Sequence, residues 1–228
     1  SLWRHKGKKW IFWAGTDITH FKNGYWLDQA GEIRIDPKAL AEWINTHCES
    51  WVENKVEYDA LKELGIESQV CPSFLGDVNA FEVSFQPSKN PNVYTSVSGD
   101  DFKLYGWDKI SELAALNKDT IFHLYGNKRK PPFLIAPNMV LHGRVPKEQM
   151  NEEIKGMQGA LRLTEFDGAS EIIIKAMLMG QYAFSYIEYP HVDKVGDLYS
   201  LGSKTEPHLA GRDYYREALN RFPWNLKK

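Results

Sequence analysis

Cysteine is nearly absent from this chain of 228 residues: Cys48 and Cys71 are the two it has, and their spacing fits neither a disulfide framework nor a zinc site. That composition suits a reducing compartment. Long apolar runs are missing too. None approaches the ~20 residues needed to cross a bilayer, and no signal-peptide pattern is present, so a soluble, cytoplasmic protein without a transmembrane segment is expected. Charge of one sign is also lacking, with 28 Lys and Arg against 30 Asp and Glu for a net charge of −2. Short basic runs at residues 4–9 and 128–130 are ordinary solvated surface, and no nucleic-acid partner is expected. Several catalytic signatures are absent as well. No Gly-x-Gly-x-x-Gly follows a strand, which removes the nicotinamide and flavin fingerprint, and no Gly-x-x-x-x-Gly-Lys-[Ser/Thr] marks a P-loop. There is no Gly-x-Ser-x-Gly elbow and no His-x-x-x-His metal spacing.

What is present is ordinary globular material, 43% apolar and 25% charged, with eight Trp, eleven Tyr and eleven Phe. Residues 8–15 read as a buried strand ending in Gly15-Thr16-Asp17, a small, polar, acidic turn. Turns at that end of a strand carry ligands in open α/β sheets, or simply satisfy local backbone groups. Residues 19–36 read as loop, Pro37 opens a helix, and a second helix is expected over residues 49–64 with Gly65 as its stop. Residues 74–92, rich in Gly, Pro and Asn around a short strand at 81–85, mark the boundary between two parts. From residue 93 to residue 187 strand and helix patterns alternate five times, which predicts a parallel, doubly wound Rossmann-like sheet with right-handed crossovers.

The stretch that stands out runs from Arg162 to Gly180. A short strand (158–163) meets a polar turn, Thr164-Glu165-Phe166-Asp167-Gly168, and a helix then continues to a glycine stop at Gly180. The first turn of such a helix has backbone N–H groups without intrahelical partners, so Gly168, Ala169 and Ser170 form a candidate anion site with Asp167 as a capping acid. The same pattern also describes a plain capped βα turn. Around it, loops at expected strand ends carry Lys103, Asn127, Lys128 and Arg144, a set suited to an anionic ligand bearing hydroxyls. Each also has a bland reading as surface charge or turn residue. His20, His47 and His142 have no nameable partner and are expected to be structural.

The order of these segments resembles the retaining GT-B glycosyltransferases. The resemblance rests on His142-Gly143-Arg144-Val145 before a Pro-started helix, on Arg162 through Ser170, and on Ala176-Met177-Leu178-Met179-Gly180, which is similar to the donor domain of that family. Trp13-Ala14-Gly15-Thr16-Asp17 resembles a turn of its acceptor domain. The resemblance implies a nucleoside diphosphate sugar as donor, an unidentified acceptor, transfer with retention and no metal or other cofactor. It places Asp167, with Glu165 as a second candidate, as the acid that binds the transferred sugar. Donor-binding positions are Lys103, Asn127, Arg144, Val145, Gly168, Ala169, Ser170 and Lys175, while Thr16 and Asp17 face the acceptor-side cleft. Two departures stand out. Lys175 occupies the position where the family keeps its second carboxylate, and a lysine cannot accept a ribose hydroxyl's hydrogen bond. Lys175 could instead contact phosphate, or point away and leave the ribose to another group such as Glu171. The chain is also short for two full domains, so the expected division is a shortened N-terminal part (1–78), a donor domain (79–206) and a C-terminal helix (207–228) packing back on the N-terminal part. A cut chain, a small enzyme, a homo-oligomer or one partner of a two-chain enzyme would each fit that length.

Overall fold

The computed structural model describes residues 4–24, 26–74, 76–97, 99–164 and 167–221. These form two compact units: the described residues up to Ser73 group with 167–169 and 221, and those from Phe74 group with the rest up to Asn220.

The first unit is a parallel sheet of β1 (Trp10–Phe12), β2 (Glu49–Val52) and β3 (Gln69–Val70), in that order, with α1 (Gly15–Lys22), α2 (Pro37–His47) and α3 (Lys55–Glu63). The start of α2 follows from its sequence. Asp36 accepts a hydrogen bond from the Lys38 amide at 3.1 Å, and Pro37, which has no N–H to lose, takes the first position. Two expectations fail here. Residues 15–22 are helix rather than turn and loop, because Ile18 and Phe21, three apart, are both buried, with Phe21 edge-on to Trp13 at 5.7 Å. Residues 49–52 are strand rather than helix: Ser50 and Val52 alternate inward while the backbone pairs in parallel with β1. The apolar residues of 51–56 fit a helical period as well as a strand, and pairing with β1 decides between them. The helix then starts where Asn54 accepts from the Glu57 amide at 3.0 Å.

The second unit is a sheet of six parallel strands: β4 (Asn92–Ser96), β5 (Ile121–Tyr125), β6 (Met139–Gly143), β7 (Gly159–Arg162), β8 (Tyr182–Ser185) and β9 (Asp193–Lys194). Their order is β6-β5-β4-β7-β8-β9, so the winding reverses between β4 and β7. The expected Rossmann-like α/β architecture is therefore the observed one. Helices α4 (Trp107–Leu116), α5 (Lys147–Glu153), α6 (Glu171–Leu178) and α7 (Leu209–Asn220) complete the unit. Residues 172–178 of α6 are all buried, and apart from Lys175 they are all apolar. The expected strand at 81–85 is irregular chain instead, with the Ser84 amide donating to the Met179 carbonyl. The last helix lies against α6: Arg212 Nε donates to the Leu178 carbonyl at 2.8 Å, and Met177 Sδ sits over Gly211. Strand β9 and the 3₁₀ segment Val195–Ser203 had no sequence signal strong enough to predict them.

Candidate functional site

At the C-terminal ends of β4, β5 and β6 the second unit opens into a cleft of ≈ 910 Å³. This is the switch point of the sheet, where open α/β sheets bind ligands because the strand ends diverge and helix starts converge. Ser96 and Val97 form one wall, Gly126 the floor, and Arg144 with Val145 lead over to α5. Gly126 has a positive φ of 93°, and a Cβ there would lie 2.2 Å from the Val97 carbonyl oxygen. A side chain at this position would push the β4 and β5 loops apart and close the floor.

The cleft is strongly cationic. Lys128, Arg144, Lys147 and Lys175 line it, and Glu171 is the sole carboxylate among its described lining residues. Glu171 opens α6, and its Oε1 receives both Lys147 Nζ at 2.8 Å and Lys175 Nζ at 3.0 Å. The Lys175 side chain is 5% exposed. Burial lowers its pKa, an effect the Glu171 carboxylate opposes. Burial would raise the pKa of Glu171, but the two lysines outweigh it and hold the carboxyl below its ordinary range. The net result is a cleft that offers several cationic donors, one carboxylate acceptor and a surplus of positive charge, suited to a polyanion with hydroxyl groups.

One layer away, hydrogen bonds link side chains of β4, β5 and β6, and a close contact between His142 and Glu153 carries the chain on to α5. His123 Nε2 meets Asn92 Oδ1 and its Nδ1 meets His142 Nε2, both at 2.9 Å, while His142 Nδ1 lies 3.3 Å from Glu153 Oε2. If Asn92 presents its oxygen, His123 carries its proton on Nε2 and receives one from His142. Burial and the neighbouring His142 push the pKa of His123 down to about 4. The ring of His142 also stacks on Tyr125 at 4.1 Å. The chain joins the end of β6 to α5, the element that brings Lys147 into the cleft.

The corner after β7 behaves differently. Residues 167–169 belong with the first unit, where the Ala169 amide donates to Glu53 Oε2 at 2.8 Å and the Asp167 carbonyl accepts from Asn54 Nδ2 at 2.6 Å. A Cβ on Gly168 would fall 1.7 Å from Glu53 Oε2. The glycine makes room for a carboxylate of the same chain. Glu53 also accepts from the Ser73 hydroxyl, and its backbone amide donates to Glu57 Oε2 at 2.9 Å. Burial raises the pKa of both acids, to about 8 for Glu57, with Asp167 adding a like charge.

Of the residues singled out in the sequence, Arg144, Val145 and Lys175 line the cleft. Ser170 is buried directly before α6. Asn127 turns its amide nitrogen to the Arg129 carbonyl at 3.1 Å, which is a turn role, while its buried Oδ1 has no partner among the described residues. Lys103 is exposed in the turn before α4 and does not line the cleft. Gly168 and Ala169 are held by Glu53 rather than left open. Thr16 and Asp17 lie in the first turn of α1, and Asp17 borders a separate aromatic pocket of ≈ 510 Å³ in the first unit. Glu165 lies outside the described residues. Sequence reasoning passed over Lys147 and Glu53. For Glu53, the pattern Asn54-x-x-Glu57 before an apolar run was a legible helix-start signal that would have corrected the boundary of α3.

No protein-family model and no curated protein matches the sequence. Solved structures do match in shape. The chain resembles S. aureus TarM, solved as a mutant in complex with fondaparinux, alpha-GlcNAc-glycerol and UDP, with a TM-score of 0.57 and 14% identity, over 95% of this chain and 48% of that one. It resembles the lipopolysaccharide outer core galactosyltransferase WaaB with a TM-score of 0.58 and 14% identity, over 78% of this chain and 58% of that one. For Anabaena HepE, in complex with UDP and glucose, the values are 0.51 and 11%, over 94% and 74%. The fold is that of the GT-B glycosyltransferases. The chain spans about half the length of TarM and somewhat more of WaaB. Among the described residues, no helix is long and apolar enough to cross a membrane.

Proposed function

We propose that the chain is the donor-binding part of a glycosyltransferase that uses a nucleoside diphosphate sugar, and that the nucleotide occupies the cationic cleft. The observation that carries this reading is the convergence of Lys128, Arg144, Lys147 and Lys175 at the switch point of a fully parallel sheet. TarM and HepE, which share the fold, were solved with UDP. In this reading the cations stabilise the charge that develops on the diphosphate as the glycosidic bond breaks, a contribution typical of preorganised electrostatic sites. Side-chain cations carry that charge without a metal ion, Asp167 orients hydroxyls of the transferred sugar, and transfer proceeds with retention, as the family resemblance implies.

A second reading, a nucleotide-binding module that needs a partner chain for transfer, is favoured by two observations. Lys175 stands where the family keeps an acid, and the Ala169 amide is already taken by Glu53. Calorimetric titration with UDP, GDP and ADP tests the shared premise. At least one should bind, and Arg144→Ala should weaken it about tenfold. If none binds at millimolar concentration, the cleft assignment is wrong. Hydrolysis of a bound nucleotide sugar by the chain alone would then exclude the second reading.

A further inference from the structure

Both ammonium groups of the ladder converge on one oxygen of Glu171. Lys147 Nζ and Lys175 Nζ both meet Oε1, at 2.8 and 3.0 Å. Two opposite charges fix the carboxylate in place, and one of them, Lys175, is 5% exposed and sits on α6 one turn beyond Glu171. A carboxylate held in this way is ionised, preoriented and half open to the cleft, with one oxygen left to accept. Every other charged side chain lining the cleft is a cation and can only donate. A nucleoside diphosphate brings two kinds of group: phosphates, which accept, and ribose hydroxyls, which donate. The cations match the first kind and Glu171 is the one charged match for the second.

We propose that Glu171 reads the ribose hydroxyls of the bound nucleotide through Oε2, and that Lys175 is a positioning residue acting through it. This rests on the nucleotide reading of the cleft. It gives the lysine a purpose that its position alone would deny, because the acceptor has moved one helical turn towards the start of α6 and the lysine holds it there. The site then distinguishes a ribonucleotide from a nucleotide lacking the hydroxyls by one charge-assisted hydrogen bond or two, a difference of about tenfold or more in affinity.

Titrations of UDP, GDP and ADP against their 2′,3′-dideoxy counterparts test it. The wild-type chain should prefer the ribonucleotide by about tenfold. In Glu171→Gln the pinned oxygen stays with the lysines and an amide nitrogen takes the place of Oε2. The preference should fall to about twofold or less, while the dideoxy compound binds at least as well as before, since a negative charge has left the cleft. A purely structural role for Glu171 would instead weaken both compounds together. Lys175→Met, which keeps the buried stem, should reduce the preference, and Lys175→Arg should retain most of it. If the wild type binds both nucleotides equally, or Glu171→Gln keeps the preference, the assignment of Glu171 is overturned and the nucleotide cleft stands. If no diphosphate nucleotide binds, both readings fall.

Discussion

Both units end parallel strands against helix starts, yet they place groups of opposite kind there, acids in one and cations in the other. In the first, β2 runs into Glu53 and then α3, which carries Glu57; Glu57 is buried and Glu53 half-buried, with Asp167 nearby. In the second, β6 runs into Arg144 and α5 begins with Lys147, both in the cleft with Lys175. The acids face inward and satisfy the chain's own amides. The cations line an open cleft and have only Glu171 as a described carboxylate partner there. One βα frame thus serves as a self-contained joint in one place and as a receptor for an outside anion in the other. The frame sets where a group stands, and its charge and burial decide what it binds.

The sharpest way to break this comparison is to fill the two glycines. Gly126→Ala meets a backbone oxygen at 2.2 Å from a positive φ, and neither can yield without moving β4 or β5. It should cost about 3–4 kcal/mol in denaturant unfolding and close the cleft to nucleotide. A loss below about 1 kcal/mol would show that the cleft floor is soft.

The charge contrast should appear as opposite pH dependence. Glu57 has a folded pKa of about 8 against an ordinary 4.5, so the folded state holds a proton that the unfolded chain releases. Its contribution is complete below pH 4.5 and is lost as pH rises towards 8, on the order of a few kcal/mol. His123 runs the other way. Its folded pKa of about 4 lies below the ordinary 6.5, so its contribution is complete above pH 6.5 and is lost as pH falls to 4. Thermal unfolding from pH 4 to 8.5 should therefore flatten at the alkaline end in Glu57→Gln and at the acid end in His123→Gln. Unchanged slopes in both variants would refute the contrast.

The smallest effect belongs to Gly168→Ala. The obstacle there is the end of a flexible side chain, Glu53, which can rotate away and forfeit its bond to the Ala169 amide. Destabilisation of about 1–2 kcal/mol is expected, with the amide becoming exchangeable in hydrogen-exchange measurements. An unaffected Ala169 amide would mean that Glu53 does not hold the corner.

Much of the frame was legible because it follows local rules. Alternation of strand and helix from residue 93 to residue 187 implied the doubly wound sheet, and Asp36-Pro37 marked a helix start that the structure keeps. Errors gathered where short apolar runs admit two periods. Residues 49–52 became strand because β1 lies alongside them, and residues 15–22 became helix because Ile18 and Phe21 share a core with Trp13. The candidate site was half legible. Arg144, Val145 and Lys175 were reachable by register, whereas the pairing of Lys147 with Glu171 joins residues far apart in sequence.

By itself the sequence determined the class of architecture, the near-neutral net charge and the presence of a lysine where an acid would be expected. Those depend on composition and on periods that each segment carries alone. Only the tertiary structure decided that the Ala169 amide bonds Glu53 and that two lysines meet on one oxygen of Glu171. The pair of Glu171 with Lys175 is an i,i+4 pair within one helix, but the bonds that Lys147 and Glu53 make join residues 24 and 116 positions apart, and no local pattern encodes those.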